Sequence, residues 1–284
     1  MGALFGTAGV GESFKEAGYK RSVDAPGYLK KLGLDCYEYQ CGRGLKIKKE
    51  TAAAIAAAAK KEKITLSLHS PYYISLSSVD EVKRENSVGY ILESARAADW
   101  MGANRVVIHP GSAAKIERSA ALKLAKETLK KSLKTLDQNN LGHITVCPET
   151  MGRLNLLGDL DEILELCRID DRLVPCIDFG HLNARTFGGI KDISDYEKIL
   201  DTVQDRLGSE KLKNLHIHFT KIQYSDTAGE VRHLTLEDDK FGPQFEPLCE
   251  LIFKRKLSPV IICESDGTQA EDAAKMKGMY REFG

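Results

Sequence analysis

The chain has 284 residues, of which 42% are hydrophobic and 29% are charged, and its 41 basic and 41 acidic residues cancel. This composition excludes a disordered tail, a collagen-like rod and a scaffold that binds DNA through bulk positive charge. No apolar run approaches the roughly 20 residues that cross a bilayer, and the N-terminal residues lack the features of a signal peptide, so we expect a cytosolic protein.

Short runs rich in β-branched residues alternate with longer helical stretches along the chain. In chain order, the predicted strands are Ala3–Gly6, Leu34–Tyr39, Ile64–Leu68, Arg105–His109, His143–Pro148, Leu173–Asp178, Leu212–His218 and Ser258–Glu264. The predicted helices between and after them are Thr51–Glu62, Val79–Met101, Lys115–Leu136, Asp159–Cys167, Asp195–Arg206, Gln244–Lys256 and Gln269–Arg281. This alternation is typical of parallel strands that are joined by crossover helices.

Eight predicted strands in 284 residues favour a single-domain (β/α)₈ TIM barrel over residues 1–284, since such barrels need about 250 residues. No linker rich in Pro, Gly or Ser divides the chain. An open doubly wound sheet is the alternative, and it usually carries a glycine-rich phosphate turn after its first strand. The segment Gly6–Gly11 is rich in glycine but lacks the GxGxxG register, which favours the barrel.

Six polar residues that could bind a metal stand at the ends of successive predicted strands. They are His69, His109, Glu149, Asp178, His216 and Glu264, at intervals of 29 to 48 residues. Each interval is about one strand–helix unit, and all strands of a barrel end at the same face, so the six side chains should converge. Any one of these histidines alone is more typical of a satisfied polar residue near a strand end, but six such residues together favour a shared site.

Imidazoles and carboxylates without thiolates suit Zn²⁺, and Mn²⁺ or Fe²⁺ bind the same ligand types. Three of each exceed what one tetrahedral ion uses, so the sequence predicts at least two ions that share a bridging carboxylate. His218 lies two residues after His216, on the same side of the predicted strand. It could hold the ligands in place without contacting the metal itself.

Several motifs together resemble the endonuclease IV family of zinc-dependent apurinic/apyrimidinic endonucleases. They are His69-Ser70-Pro71-Tyr72, Val107-Ile108-His109-Pro110-Gly111, Pro148-Glu149-Thr150, Asp178-Phe179-Gly180-His181, His216 and Cys263-Glu264-Ser265. The resemblance covers nearly the whole chain and implies a (β/α)₈ barrel. Each motif alone is weak, but their combined order is specific.

The resemblance implies three zinc sites. His69, His109 and Glu149 would hold the first ion, and Glu149 would bridge to a second ion that is also held by Asp178, His216 and Glu264. The family's third site uses a histidine at the position of His181 and an Asp-x-His pair. His233 matches the histidine of that pair, but Val231 stands at the place of the Asp. Glu230 could substitute if the loop shifts; otherwise the third site would be weak, filled by another metal, or empty.

The resemblance also implies a reaction and a substrate. A metal-bound hydroxide near Glu149, the expected catalytic residue, would hydrolyse the phosphodiester 5′ to an abasic site in double-stranded DNA, as in base excision repair. Tyr72 and Arg43 are the expected DNA contacts. We expect no membrane partner and no obligate protein partner.

Two other functions remain open at this point. A xylose isomerase-like sugar isomerase or epimerase also places His, Asp and Glu at strand ends around divalent metals. The large share of imidazoles among the candidate ligands favours hydrolysis instead. The other alternative is a barrel that binds damaged DNA but is catalytically impaired, and the substitution at Val231 is its only support.

Overall fold

A computed structural model describes residues 2–283 and contains eight parallel strands in a nearly closed barrel. Two further strands lie outside the barrel. In chain order, all strands of the described residues are β1 (Leu4–Ala8), β2 (Cys36–Gln40), β3 (Thr65–His69), β4 (Arg105–Ile108), β5 (Thr145–Pro148), β6 (Cys176–Asp178), β7 (His216–Phe219), β8 (Ile222–Ser225), β9 (Gly229–His233) and β10 (Val260–Cys263). The barrel strands are bonded in the order β5-β4-β3-β2-β1-β10-β7-β6, and β8 and β9 form a separate antiparallel hairpin. This confirms the predicted (β/α)₈ barrel.

Helices follow the barrel strands. They are α1 (Glu12–Glu16), α2 (Ala25–Lys31), α3 (Lys49–Glu62), α4 (Glu81–Met101), α5 (Arg118–Gln138), α6 (Leu160–Cys167), α7 (Phe179–Arg185), α8 (Ile193–Leu207), α9 (Ser209–Lys213), α10 (Glu246–Lys254) and α11 (Gln269–Arg281), with a short 3₁₀ helix at Ser22–Asp24. All seven predicted helices are present. The short helices α1, α2, α7 and α9 and the hairpin were not predicted, because five to seven residues carry too little periodicity. Within residues 2–283, no helix is both long and apolar enough to span a bilayer.

The long helices begin and end where their sequences allow. The alanine-rich α3 buries Ala52, Ile55 and Ala59, whose spacing of three and four residues forms one helical face. Helix α4 begins at Asp80, whose carboxylate accepts hydrogen bonds from the first-turn amides, and it ends at Gly102 in the left-handed conformation. These helices cover the outside of the barrel with small or branched apolar side chains.

Alternation along each strand decides which side chains enter the barrel. In β4, Val106 and Ile108 belong to the large core between strands and helices, whereas Val107 packs in a separate cluster with Cys147 and Cys176 of β5 and β6. Every second side chain therefore points inward, where the interior of a barrel is filled in layers. The last inward-facing side chain of each strand lies at the mouth of the barrel, which is formed by the carboxyl ends of the strands.

A few residues join β5 to β6 at the seam of the barrel. Glu149, directly after β5, forms a parallel bridge with Cys176, and the Thr150 N–H donates to the Cys176 carbonyl at 3.0 Å. The Thr150 hydroxyl accepts from the Asp178 N–H at 2.8 Å. Closure of the barrel thus fixes the backbone of Glu149 and Asp178 beside each other.

A charged cluster anchors the loop that follows the seam. The Asp159 carboxylate caps α6 by accepting from the Glu162 N–H at 2.9 Å, and Glu162 Oε2 accepts from the Asp159 and Gly158 amides at 3.0 and 2.7 Å. Arg118 of α5 donates to both oxygens of Glu162, at 2.7 and 2.6 Å. Burial raises the pKa of the Glu162 carboxyl, but Arg118 and the two amides outweigh burial and lower it.

Replacing Glu162 with Gln is expected to lower the free energy of unfolding by about 1–3 kcal/mol, the usual range for hydrogen bonds to a charged group. Because the folded-state pKa is depressed, the contribution is complete above the unfolded pKa of about 4.3 and is lost as the pH falls through the lower folded value. Urea unfolding of both proteins, from neutral to acidic pH, should therefore show a difference that shrinks towards acid.

The matched control for this cluster is Glu85→Gln, which removes an exposed partner of Lys131 at 2.6 Å. Its unfolding free energy should change by less than about 1 kcal/mol. Equal losses in the two variants would contradict the anchoring role of Glu162.

Candidate metal centre

Glu149 is the central residue of the mouth. It is 1% exposed, and its two oxygens face different histidines. Oε2 lies 3.1 Å from His69 Nε2 and 3.0 Å from His109 Nε2, while Oε1 lies 3.1 Å from His218 Nδ1. One carboxylate therefore joins two neighbouring groups of ligand atoms.

The first group consists of His69, His109 and Glu149, whose ligand atoms lie within 4.8 Å of one another. His69 Nδ1 lies 2.8 Å from the Ser70 carbonyl, to which it donates. In the neutral ring, this bond leaves the lone pair of Nε2 facing the group. The structure thus brings together the three residues that the sequence assigned to the first ion.

The second group contains Glu149, Asp178, His218 and Glu264, again with ligand atoms within 4.8 Å. Asp178 Oδ1 accepts from the His181 N–H at 2.7 Å. The buried Oδ2 lies 3.3 Å from His181 Nδ1 but makes no hydrogen bond among the described residues. A buried carboxylate oxygen without a hydrogen bond is costly unless it faces a cation. The donor set of imidazole and carboxylates fits Zn²⁺, Mn²⁺ or Fe²⁺.

The second group contains His218 where the sequence predicted His216. The sequence assigned His216 to this position, yet His216 pairs with Cys176 in the strand register, one layer below, while His218 pairs with Asp178. Both side chains point into the barrel, so the period of two could not distinguish them; only the register of β7 against β6 does. The structure therefore places His218, not His216, among the three carboxylates.

The third group consists of His181, Glu230 and His233. His181 Nε2 lies 3.5 Å from Glu230 Oε2, and His233 Nε2 lies 4.0 Å from Glu230 Oε1. Both histidines donate from Nδ1 to a backbone carbonyl, His181 to Thr150 at 2.9 Å and His233 to Glu264 at 3.0 Å. Their Nε2 atoms are therefore free for the third group.

A β-bulge explains why Glu230 stands in for the expected aspartate. Gln223 pairs with Arg232 and Tyr224 pairs with Glu230, so Val231 is an extra residue in β9. The extra residue restores Glu230 and His233 to one face and turns Val231 outward, where it is 45% exposed. The shift of the loop that would let Glu230 substitute is thus built into the hairpin.

Close approach of the backbone holds the hairpin over the mouth. The Glu230 N–H donates to the Gly152 carbonyl at 3.2 Å, and Arg153 forms an antiparallel bridge with Gly229. A Cβ at Gly152 would lie 2.7 Å from Glu230 Cβ and 3.1 Å from His181. Glycine is required there because any side chain would push Glu230 away from the third group.

The electrostatics of the mouth favour a bound cation. Burial raises the pKa of the Asp178 carboxyl, and Glu264 and Glu149 oppose the lowering by His181. Burial lowers the pKa of His69, but the hydrogen bond with Glu149 outweighs it and raises the value to about 9. Burial likewise opposes protonation of His218, yet surrounding negative groups hold its pKa well above the usual range. Divalent ions would replace the protons that these groups otherwise share.

The mouth opens into a cavity of about 630 Å³. Its lining includes Tyr72, Arg153 and Gln40 beside the ligand groups. The Tyr72 side chain is 53% exposed at the rim, and Gly42 places the neighbouring loop next to its hydroxyl. Arg43 is exposed on that loop and does not line the cavity.

Sequence reasoning missed two buried residues of this region. Glu38 of β2 is 0% exposed, and His218 was considered only as a support. A charged residue inside the apolar strand Cys-Tyr-Glu-Tyr-Gln was the available signal for Glu38, because a buried carboxylate requires partners.

Comparison with known proteins agrees with this geometry. Residues 27–282 match the model of the xylose isomerase-like TIM-barrel family. An uncharacterised protein of Methanocaldococcus jannaschii is 34% identical over 280 residues, covering 99% of this chain and 97% of that protein. A probable endonuclease 4 of Mycoplasma genitalium is 29% identical over 211 residues, covering 72% of this chain and 67% of that protein.

Solved structures share the fold. Endonuclease IV from Thermus thermophilus superposes with a TM-score of 0.67 at 20% identity, covering 92% of this chain and 93% of that chain. A D-tagatose 3-epimerase-like protein gives 0.66 at 20% identity, covering 88% of each chain.

The chain belongs to the xylose isomerase-like TIM-barrel family. Within it, the chain is a divergent endonuclease IV-like member, as the motifs indicated.

Replacing Glu230 with Gln is expected to reduce the zinc stoichiometry of the protein by about one ion, because a neutral amide is a poor replacement for a carboxylate ligand. Equilibrium dialysis followed by elemental analysis measures this. The matched control is Val231→Asp, which adds a carboxylate on the outward face of the same strand and should leave the stoichiometry unchanged. A gain of zinc in Val231→Asp would show that the bulge does not set the ligand.

Proposed function

We propose that this protein is a metal-dependent apurinic/apyrimidinic endonuclease that hydrolyses the phosphodiester 5′ to abasic sites in double-stranded DNA. The observation that carries the proposal is Glu149, whose two oxygens face two adjacent ligand groups at about 3 Å. Pairs of metals that share a carboxylate are typical of phosphodiester hydrolysis.

Zinc is the proposed metal, with Mn²⁺ and Fe²⁺ as chemically suitable replacements. His69, His109 and Glu149 would hold one ion; Glu149, Asp178, His218 and Glu264 a second; and His181, Glu230 and His233 a third. When bound, the ions would neutralise the phosphate and supply hydroxide near neutral pH. Glu149 would set the spacing between the first two groups, and it needs no proton transfer of its own to do so.

The rim of the cavity suits an extruded abasic nucleotide. Such a nucleotide loses little stacking when it leaves the duplex, and the exposed ring of Tyr72 could stack against a neighbouring base. Arg43 on the neighbouring loop and Arg153 in the cavity lining would supply positive charge for the DNA backbone. This local charge makes the neutral overall balance compatible with binding DNA.

A sugar epimerase is the second candidate, supported by the structural likeness to the D-tagatose 3-epimerase-like protein. The presence of five histidines in the three ligand groups favours the nuclease. A catalytically impaired barrel is less favoured, because Glu230 supplies a carboxylate to the group of His181 and His233.

A duplex oligonucleotide with one tetrahydrofuran abasic analogue tests the proposal. The zinc-loaded protein should nick the strand 5′ to the analogue and leave a 3′-hydroxyl, and a chelator should abolish the reaction. Glu149→Gln should reduce the rate by at least about 100-fold, as expected for losing a ligand shared by two ions. Gel electrophoresis with a labelled strand measures both effects.

An exposed variant far from the mouth, His143→Gln, is the control and should nick at the wild-type rate, since His143 pairs with Asp99 on the surface. Binding of the duplex without nicking would favour the impaired barrel. Neither binding nor nicking, together with turnover of a ketose by the zinc- or manganese-loaded protein, would favour the epimerase.

A further inference from the structure

The second ligand group is supported from below by a buried carboxylate that no part of the proposed reaction uses. We propose that Glu38 is a positioning residue: through His218 Nε2 it holds the imidazole with Nδ1 facing the second ion. The inference rests on the metal site of the proposed function, but not on DNA as its substrate.

Glu38 is enclosed on all sides by polar partners. It is 0% exposed, and its Oε2 accepts from the Ser67 hydroxyl and from His216 Nε2, both at 2.8 Å. Its Oε1 accepts from Gln40 Nε2 at 3.2 Å and lies 3.0 Å from His218 Nε2. Three hydrogen bonds and one ion-pair contact therefore fix both oxygens in place.

His218 is held between two sets of carboxylates. Its Nδ1 lies 3.1 Å from Glu149 Oε1 and 3.4 Å from Glu264 Oε1, and its opposite nitrogen faces Glu38. The Nε2–Glu38 contact is an ion-pair contact outside hydrogen-bond geometry. A proton on Nε2 would face the negative charge of Glu38 and would leave the lone pair of Nδ1 for a cation. Such carboxylate–histidine–metal arrangements fix the ring and raise the basicity of the ligand nitrogen.

This support differs from that of the other candidate ligands. His69, His181 and His233 each donate to a backbone carbonyl, of Ser70, Thr150 and Glu264 respectively. A carbonyl is neutral, whereas Glu38 brings a negative charge beneath the second group. His218 should therefore be a stronger donor to its ion than these three histidines are to theirs.

The same geometry gives His216 a role in place of the one predicted for it. His216 is buried, and its Nε2 donates to Glu38. It thus orients the carboxylate that orients His218. The two histidines of β7 stand two positions apart in the sequence. They belong to successive layers, and contacts run from His216 through Glu38 to His218.

Glu38→Gln tests the inference because it preserves shape and removes the charge. Zinc titration of the metal-free protein against a chromophoric chelator should show one ion bound about 10–100-fold more weakly, the usual effect of removing an outer partner. The other ions should bind as in the wild type. Asp178→Asn identifies the affected ion, and the double variant should lose little beyond the Asp178 change.

Asp35→Asn is the control, since it removes a carboxylate just before the same strand but at the opposite end of the barrel, beside Lys277. It should leave zinc affinity unchanged. Ser67→Ala removes one hydrogen-bond donor to Glu38 and should lower the affinity for the same ion several-fold. This variant replaces Glu38→Gln as the test if Glu38→Gln does not fold.

Unchanged zinc affinity in Glu38→Gln would overturn the inference. If Glu38→Gln does not fold, unchanged zinc affinity in Ser67→Ala would do the same. An equal loss of affinity for every ion in a folded variant would also overturn it. Failure to nick DNA would not affect it, because the titration contains no DNA.

Discussion

One buried carboxylate, shared between two groups of imidazoles and carboxylates, organises the mouth of this barrel. Glu149 stands at the bridge that joins β5 to β6, so the contact that closes the barrel also sets the position of the shared ligand. Thr150, the next residue, fastens the backbone of Asp178 across the same seam. The contacts that close the barrel therefore also position the ligands, so the site depends on the integrity of the barrel.

Charge is distributed in layers beneath that contact. The upper layer groups Glu149, Asp178 and Glu264 with His218, and Glu149 and Glu264 line the cavity. The lower layer holds Glu38 between His216 and Ser67. Negative groups stacked inside a low-dielectric barrel repel one another unless protons or cations intervene. The layers explain how a chain with no net charge can still concentrate negative groups at a candidate cation site.

Sequence patterns were most reliable where the physical signal was long or repeated. Eight strands and seven helices were found because their apolar periods extend over several residues. The sequence could not distinguish His216 from His218 as the ligand, because both share one face of β7 and only pairing with β6 separates them. Val231 put the third site in doubt for a similar reason. No sequence pattern predicts the β-bulge that brings Glu230 inward.

The sequence by itself determined the barrel, the order of its strands and the ends at which imidazoles and carboxylates gather, because alternation and strand-end chemistry are local properties. Only the tertiary structure decided which of two inward residues reaches the mouth, which acid completes the third group, and that Glu38 lies beneath His218. Those facts depend on register, on a bulge and on contacts between residues as far apart as Glu38 and His218. Such relations are set by how whole strands pack against each other, and a linear pattern does not encode them.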